Sequence, residues 1–236
     1  MKKILVTVLL AAAVAGCDNF QSEVVPIEGT TLKTFTAKSN NPEIPVVGVK
    51  NAADSIIVPA RFVKVTLVNN CLLAVNGKKA AVFDLAGKQL LEPTEGVIVE
   101  NGSFKYAFGG QWNYLHPGSG LTFSSDEDGG VMFTAREVFV KRQGLYGVKA
   151  YAEGKDVIPC EYESICVVSQ KDSELYAYLC KVKGKAQWKL IGSDGKVQKT
   201  LYKQAVTRMK NDAQKIGSGW GDDKLGGITV NRIKAY

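Results

Sequence analysis

Residues 144–165 read GLYGVKAYAEGKDVIPCEYESI. Tyr146 precedes a small residue, Gly147. A polar turn through Gly154-Lys155 follows, and Val157-Ile158-Pro159-Cys160-Glu161-Tyr162 closes the stretch with two aliphatics, a proline and an aromatic. The frame recurs. Gly77 to Lys88 reads GKKAAVFDLAGK and runs on into Leu90-Leu91-Glu92-Pro93, and Gly184 to Lys196 reads GKAQWKLIGSDGK. Val47-Gly48-Val49 leads to Ile57-Val58-Pro59-Ala60-Arg61-Phe62, which matches the close of the quoted stretch when Val58 is set against Ile158. A weaker copy is Gly110-Gln111-Trp112-Asn113-Tyr114-Leu115. Aligned on Gly147, the anchors fall at 48, 81, 113, 147 and 189, with spacings of 33, 32, 34 and 42. Near-constant spacing of separate matches marks a repeat protein.

Between Pro45 and Val197 short apolar runs rich in β-branched and aromatic residues are broken by Gly, Asn and Asp about every 8 to 12 residues, the pattern of an all-β chain. Val63 to Val68 alternates with period 2, as does Ala177 to Val182. The small anchor residue admits a neighbouring backbone or ring. The aromatics Trp112, Tyr146 and Trp188, just before it, supply apolar area that one unit cannot bury alone. Ala86-Gly87 and Asp194-Gly195 provide the positive φ of tight hairpins. Pro59, Pro93 and Pro159 cannot donate to a ladder and are expected at a strand end or edge. The fold expected is all-β: an antiparallel sheet or propeller-like array built from about five repeats, with a short C-terminal helix.

The frame resembles the WG-repeat family, whose unit runs Gly-x-Trp-Gly-aromatic-aliphatic-Asp, turns through Gly-Lys and continues aliphatic-aliphatic-Pro-x-x-Tyr/Phe. The resemblance covers residues 45 to 200 and is to degenerate copies. Tyr146 stands for the Trp, Lys189 for the Gly after Trp188, and Ala80-Ala81 for Trp-Gly.

The N-terminus reads MKKILVTVLLAAAVAGCDNF. Lys2 and Lys3 precede an apolar run of 11 residues, Ile4 to Val14, shorter than the roughly 20 that span a bilayer. It has the size and flanks of a secretory signal. Val14-Ala15-Gly16-Cys17 resembles the bacterial lipobox, which implies acylation and cleavage at Cys17. Residues 1–16 are then a lipoprotein signal peptide, 17–44 the lipidated cysteine and a tether with a strand at Thr31 to Ala37, 45–200 the repeat domain, and 201–236 a helix and tail. Leu201, Ala205, Met209 and Ala213 recur every fourth residue within Gln198 to Ile216, the spacing of an amphipathic helix. Gly227 to Tyr236 could return as a last strand. Loss of Lys2 and Lys3 takes the formal charge from +7 to +5. This mild excess lacks the Lys/Arg runs of a nucleic-acid binder. The expected place is the bacterial cell envelope, lipid-anchored and facing the periplasm, with the membrane as one partner and an envelope protein or glycan as the other.

Chemistry is sparse. His116, in Leu115-His116-Pro117-Gly118, occupies a repeat turn where the family has Asp or Asn, and no G-x-S-x-G elbow accompanies it. No catalytic residue, cofactor or metal site is assigned. Asp126-Glu127-Asp128 begins a calcium-loop-like spacing with Glu137 at position 12, but Val131 stands where that loop needs Gly, so a solvated hairpin turn is the expectation. Of Cys71, Cys160, Cys166 and Cys180, the pair Cys166 and Cys180 brackets a polar turn and is a candidate disulfide; the alternative is four small buried hydrophobes. Trp112, Tyr146 and Trp188 are the candidate ligand platform, with burial between units as the competing role. The expected function is binding or scaffolding through the repeat surface, the alternative a glycan- or peptidoglycan-acting enzyme or its accessory.

Overall fold

The structure, a computed structural model, describes residues 22–39, 44–134, 137–169, 176–208 and 228–232. The signal segment, Cys17 and Met209 to Gly227 lie outside the described residues. The chain divides into two compact units, up to Val63 and from Lys64.

Val24–Pro26 (β1), Lys33–Ala37 (β2), Val46–Lys50 (β3) and Ile56–Phe62 (β4) form an antiparallel meander in the first unit. In the second, Lys64–Val68 (β5), Cys71–Asn76 (β6), Lys79–Phe83 (β7) and Gln89–Glu95 (β8) form another. Ile98–Glu100 (β9), Ser103–Phe108 (β10), Gln111–His116 (β11) and Leu121–Ser125 (β12) form a third. The last sheet joins Val131–Phe133 (β13), Glu137–Arg142 (β14), Leu145–Ala150 (β15), Asp156–Ser169 (β16), Tyr176–Val182 (β17), Gln187–Gly192 (β18) and Val197–Tyr202 (β19), with Ile228–Arg232 (β20) parallel to β16. The 14-residue β16 closes one meander with its first half, against β15, and opens the next with its second half, against β17. The described residues therefore make five four-stranded meanders in four sheets. All five anchors, Gly48, Ala81, Asn113, Gly147 and Lys189, fall on the third strand of their meander. Three residues further on, Asn51, Asp84, His116, Ala150 and Gly192 open the turn to the fourth strand.

Within the second unit, meanders pack face on face. Val138 and Val140 of β14 join Tyr114 and Phe123 of the preceding meander, while Phe139 between them joins Tyr162, Ile165 and Tyr178 of the next. A strand buried on both faces reads as a continuous apolar run, as Val138-Phe139-Val140 does. Cys71, Val82 and Leu91 meet Phe104, Tyr106 and Leu115 in the same way.

Two expectations are corrected. The tether is in part a sheet: β1 and β2 pair through Val24↔Phe35 to Pro26↔Lys33, and β2 pairs with β3. Its polar composition reflects an edge, since β1 is exposed throughout and, among the described tether residues, only Leu32 and Phe35 are buried. The expected strand at 31–37 is present as β2. The helix expected over Gln198 to Ile216 begins later. Residues up to Tyr202 are strand β19, paired through Trp188↔Leu201, and the helix (α1) occupies residues 203–208 among the described ones. Cross-strand pairing overrides the four-residue spacing, and β19 looks helical in composition because, as the last strand of its meander, it buries only Leu201. The prolines keep the expected edge: Pro59 and Pro93 lie on β4 and β8, the outer strands of their sheets, and Pro159 on the half of β16 that pairs only with β15. Each sits in a bulge, where a missing N–H costs no ladder bond.

The bulge explains the anchor. At Gly147 the ladder passes from Tyr146↔Tyr162 to Val148↔Ile158, so β16 advances four residues while β15 advances two. The arch this makes lies over Gly147: a Cβ there would come within 2.7 Å of the Ile158 carbonyl oxygen and 2.8 Å of both the amide nitrogen and Sγ of Cys160. Gly48 repeats the geometry, with Val47↔Phe62 followed by Val49↔Val58. At Ala81 the partner strand advances only three, from Leu91 to Thr94, and a methyl fits. Asn113 pairs with Ser124 without any shift, and Lys189 with Thr200 likewise.

Candidate functional site

Two clefts open among the described residues of the second unit, one where the third and fourth meanders meet and one on the fifth, and equivalent residues line part of both. In the fourth meander Lys141 on β14 lies opposite Tyr146 on β15, and in the fifth Lys181 on β17 lies opposite Trp188 on β18. A carboxylate from the segment leading into each meander grips the lysine: Glu127 to Lys141 at 2.5 Å, Glu163 to Lys181 at 2.6 Å. The carboxylate–lysine–aromatic trio thus recurs in the last two meanders, whereas the equivalent pairs in the first three are Thr36↔Val47, Val75↔Ala80 and Ala107↔Trp112.

The first cleft, about 810 Å³, is bordered by Glu100, Glu127, Asp128, Tyr114, Met132 and Lys141 among others. Behind it Lys105, 7% exposed, pairs with Glu100 at 3.0 Å and with Asp128, and its ammonium lies 4.8 Å from the Trp112 ring centroid. Burial alone would lower the Lys105 pKa, but the hydrogen bonds it donates to Asp128 and Glu100 outweigh this and hold the ammonium above the ordinary lysine range. Lys141 is raised too, by Glu127 first. The Tyr114 hydroxyl accepts the Gly129 N–H at 2.7 Å and is pushed up by burial.

The second cleft, about 510 Å³, is lined by Glu163, Lys181, Lys185, Trp188, Lys203 and Thr207 with their neighbours. Glu163 accepts the Gly184 N–H at 2.7 Å as well as pairing with Lys181, and these two, in that order, hold its carboxyl below the usual range.

The sequence-predicted platform is split by this geometry. Tyr146 is 4% exposed and belongs to the core between the last two meanders, so it is no open platform. Trp112 and Trp188 are half-buried, packed against the cores around Tyr114 and Leu179 respectively. Only Trp188 of the three is both a cleft wall and partly open. The pairing of these lysines and glutamates crosses strands and so has no local pattern in the sequence; its one trace there is a Lys five or seven residues before the aromatic, in Lys141/Tyr146 and Lys181/Trp188.

The acidic run is not a hairpin turn but the link from β12 to β13. Asp126 accepts the Gln143 N–H at 2.8 Å, Glu127 takes Lys141 and Asp128 takes Lys105, so the three carboxylates diverge. Among the described residues no group of three or more His, Cys, Asp or Glu converges on a metal position. His116 plays the turn role. Its Nδ1 accepts the Ser119 N–H at 3.2 Å, as Asp84 Oδ1 accepts the N–H groups of Ala86 and Lys88 at 2.9 and 2.8 Å. Its ring lies against Tyr151 and Phe133, with centroids 4.6 and 5.1 Å apart, and burial lowers its pKa.

The candidate disulfide is excluded by register. Cys180 lies opposite Ile165 and Cys166 opposite Leu179, one step apart on adjacent strands, so their side chains emerge on opposite faces. Cys180 joins the Tyr178 core and Cys166 the Leu179 core, and all four described cysteines are free. Burial pushes the Cys180 thiol far up, which removes its thiolate chemistry.

No family model and no curated protein matches the chain. Among solved structures it is similar to Kluyveromyces lactis Hsv2 (13% identity, TM-score 0.27, 72% of this chain and 60% of that one). It is similar also to a quinonprotein alcohol dehydrogenase-like protein of Bacteroides thetaiotaomicron (11%, 0.24, 76% and 54%). A third is PorZ, a bacterial surface component of the type-IX secretion system of Porphyromonas gingivalis (9%, 0.22, 75% and 32%). The chain spans less than two thirds of the length of each of these three.

Proposed function

We propose that the protein is a lipid-anchored binding or scaffold protein of the bacterial cell envelope, built from degenerate WG-type repeats and acting through the surface those repeats present. The observation that carries this reading is the recurrence of the carboxylate–lysine–aromatic cleft on successive units. Repetition of a polar cleft along a stacked array is how repeat proteins engage extended partners. The lipobox-like Val14-Ala15-Gly16-Cys17 supports the anchor, placing the repeats beside the membrane.

The alternative, a glycan-acting enzyme, has one observation in its favour. Glu100 and Asp128 approach each other at the first cleft, both on the Lys105 ammonium. Glycoside hydrolysis needs one carboxyl that keeps its proton while the other does not. An ammonium between two carboxylates stabilises charge on both, which favours a structural clasp. The test is in-cell crosslinking of the lipidated protein, then capture and mass spectrometry, in parallel with a Cys17→Ser form. Binding predicts partners lost on charge reversal of Lys141 and Lys181 with the fold intact. Turnover of peptidoglycan that disappears in Glu100→Gln or Asp128→Asn would replace this reading with the enzyme.

A further inference from the structure

We infer that the cleft beside Trp188 recognises an acidic sugar, a glycan ring bearing a carboxylate; this rests on the binding reading above and names its ligand. The two clefts share a trio but differ in charge. Glu100, Glu127 and Asp128 border the first, with Lys141 at its wall and Lys105 behind. Lys181, Lys185 and Lys203 line the second against Glu163 alone. An anion is therefore repelled from one and drawn to the other.

In the second cleft Glu163 is already satisfied, by Lys181 at 2.6 Å and by the Gly184 N–H at 2.7 Å. That leaves the exposed lysines Lys185 and Lys203, which have no ion-pair partner among the described residues. The pair comes from different elements, Lys185 from the turn between β17 and β18 and Lys203 from the start of α1, and both converge on one hollow.

Trp188 supplies the other half of the recognition. It packs against a buried cluster of Cys166, Leu179, Leu201 and Val206, so its ring is fixed before any ligand arrives. A pre-set aromatic wall presents a flat apolar face to the C–H side of a sugar ring at little entropic cost. The volume, about 510 Å³, suits a small ligand. The ring's face meets the indole, and its carboxylate meets two ammonium groups held on separate elements. A simple inorganic anion would use the lysines and ignore the tryptophan, whereas a neutral sugar would do the reverse; an acidic sugar uses both.

The test is calorimetric titration of the full chain with a tetrameric oligouronide, its carboxyl-reduced neutral counterpart and tripolyphosphate. The oligouronide is expected to bind at low salt and to weaken as salt is raised. Trp188→Ala should weaken it about tenfold or more, the loss typical of a central tryptophan. Lys185→Ser and Lys203→Ser should each cost about three- to fivefold. Because Trp188→Ala also touches the core, Trp188→Phe serves as the folding control and should retain most binding. Equal binding of the neutral counterpart, or of tripolyphosphate with no dependence on Trp188, overturns the assignment. So does absence of oligouronide binding; the broader binding reading would still stand or fall on the crosslinking result.

Discussion

Replacing Gly147 by Ala isolates the feature that defines the repeat. The backbone there is not in the left-handed region, so the cost is steric alone. A Cβ meets three atoms at 2.7 to 2.8 Å, two of them backbone atoms of the β16 arch. Overpacking of this kind costs about 1–3 kcal/mol. Removing glycine from the unfolded chain returns about 0.4–1 kcal/mol. The net expectation is a destabilisation of about 1–2 kcal/mol, or roughly 2–8 °C in Tm for a chain of this size. Urea denaturation followed by tryptophan fluorescence gives the free energy, and calorimetry gives the Tm. Cys160→Ala removes the Sγ contact but neither backbone contact, so in that background Gly147→Ala should recover only part of the loss. Asn113, at the equivalent anchor, already carries a Cβ and pairs with Ser124 without an arch. A Gly147→Ala variant as stable as the parent, or more so, would refute the account of the anchor glycine.

Three more outcomes are expected. His116 has its pKa lowered by burial, so the unfolded chain takes the proton more readily. Its contribution to stability is complete above the ordinary value of 6.5 and is lost as the pH falls from there towards the folded-state value; His116→Asn, which keeps an acceptor for the Ser119 N–H, should flatten that part of a stability–pH curve. Thiol titration of the unreduced, unfolded chain should find Cys71, Cys160, Cys166 and Cys180 all reactive, and reducing agent should leave the Tm unchanged; a reductant-sensitive Tm would contradict the opposite-face register of Cys166 and Cys180. Lys105→Met should cost about 1–2 kcal/mol by denaturation, less than a fully buried pair because Glu100 and Asp128 remain half open to water; Glu100→Gln should recover part of it if the carboxylates repel once the ammonium is gone.

The sequence by itself determined the repeat, its five anchors and the all-β class, because each depends on local rules: which residues turn, which alternate, which are small. The period from Gly48 to Lys189 survives as five third strands, and His116 stands in the turn as Asp84 does because the next strand must begin at that point whatever residue is there. What partner a residue meets is a different matter, decided by register across strands far apart in the chain. One step of register separates Cys166 from Cys180 and sends them to different cores. Two extra residues in the β16 arch make glycine necessary at 147 where β8 lets alanine stand at 81. Pairing with β18 makes a strand of residues whose own spacing suits a helix. The clefts belong to this second class: Glu127 and Lys141, or Glu163 and Lys181, are brought together only when one meander's entry segment runs beside its own second strand. No short-range pattern encodes that distance, so tertiary structure alone could place the charges that the aromatic residues share.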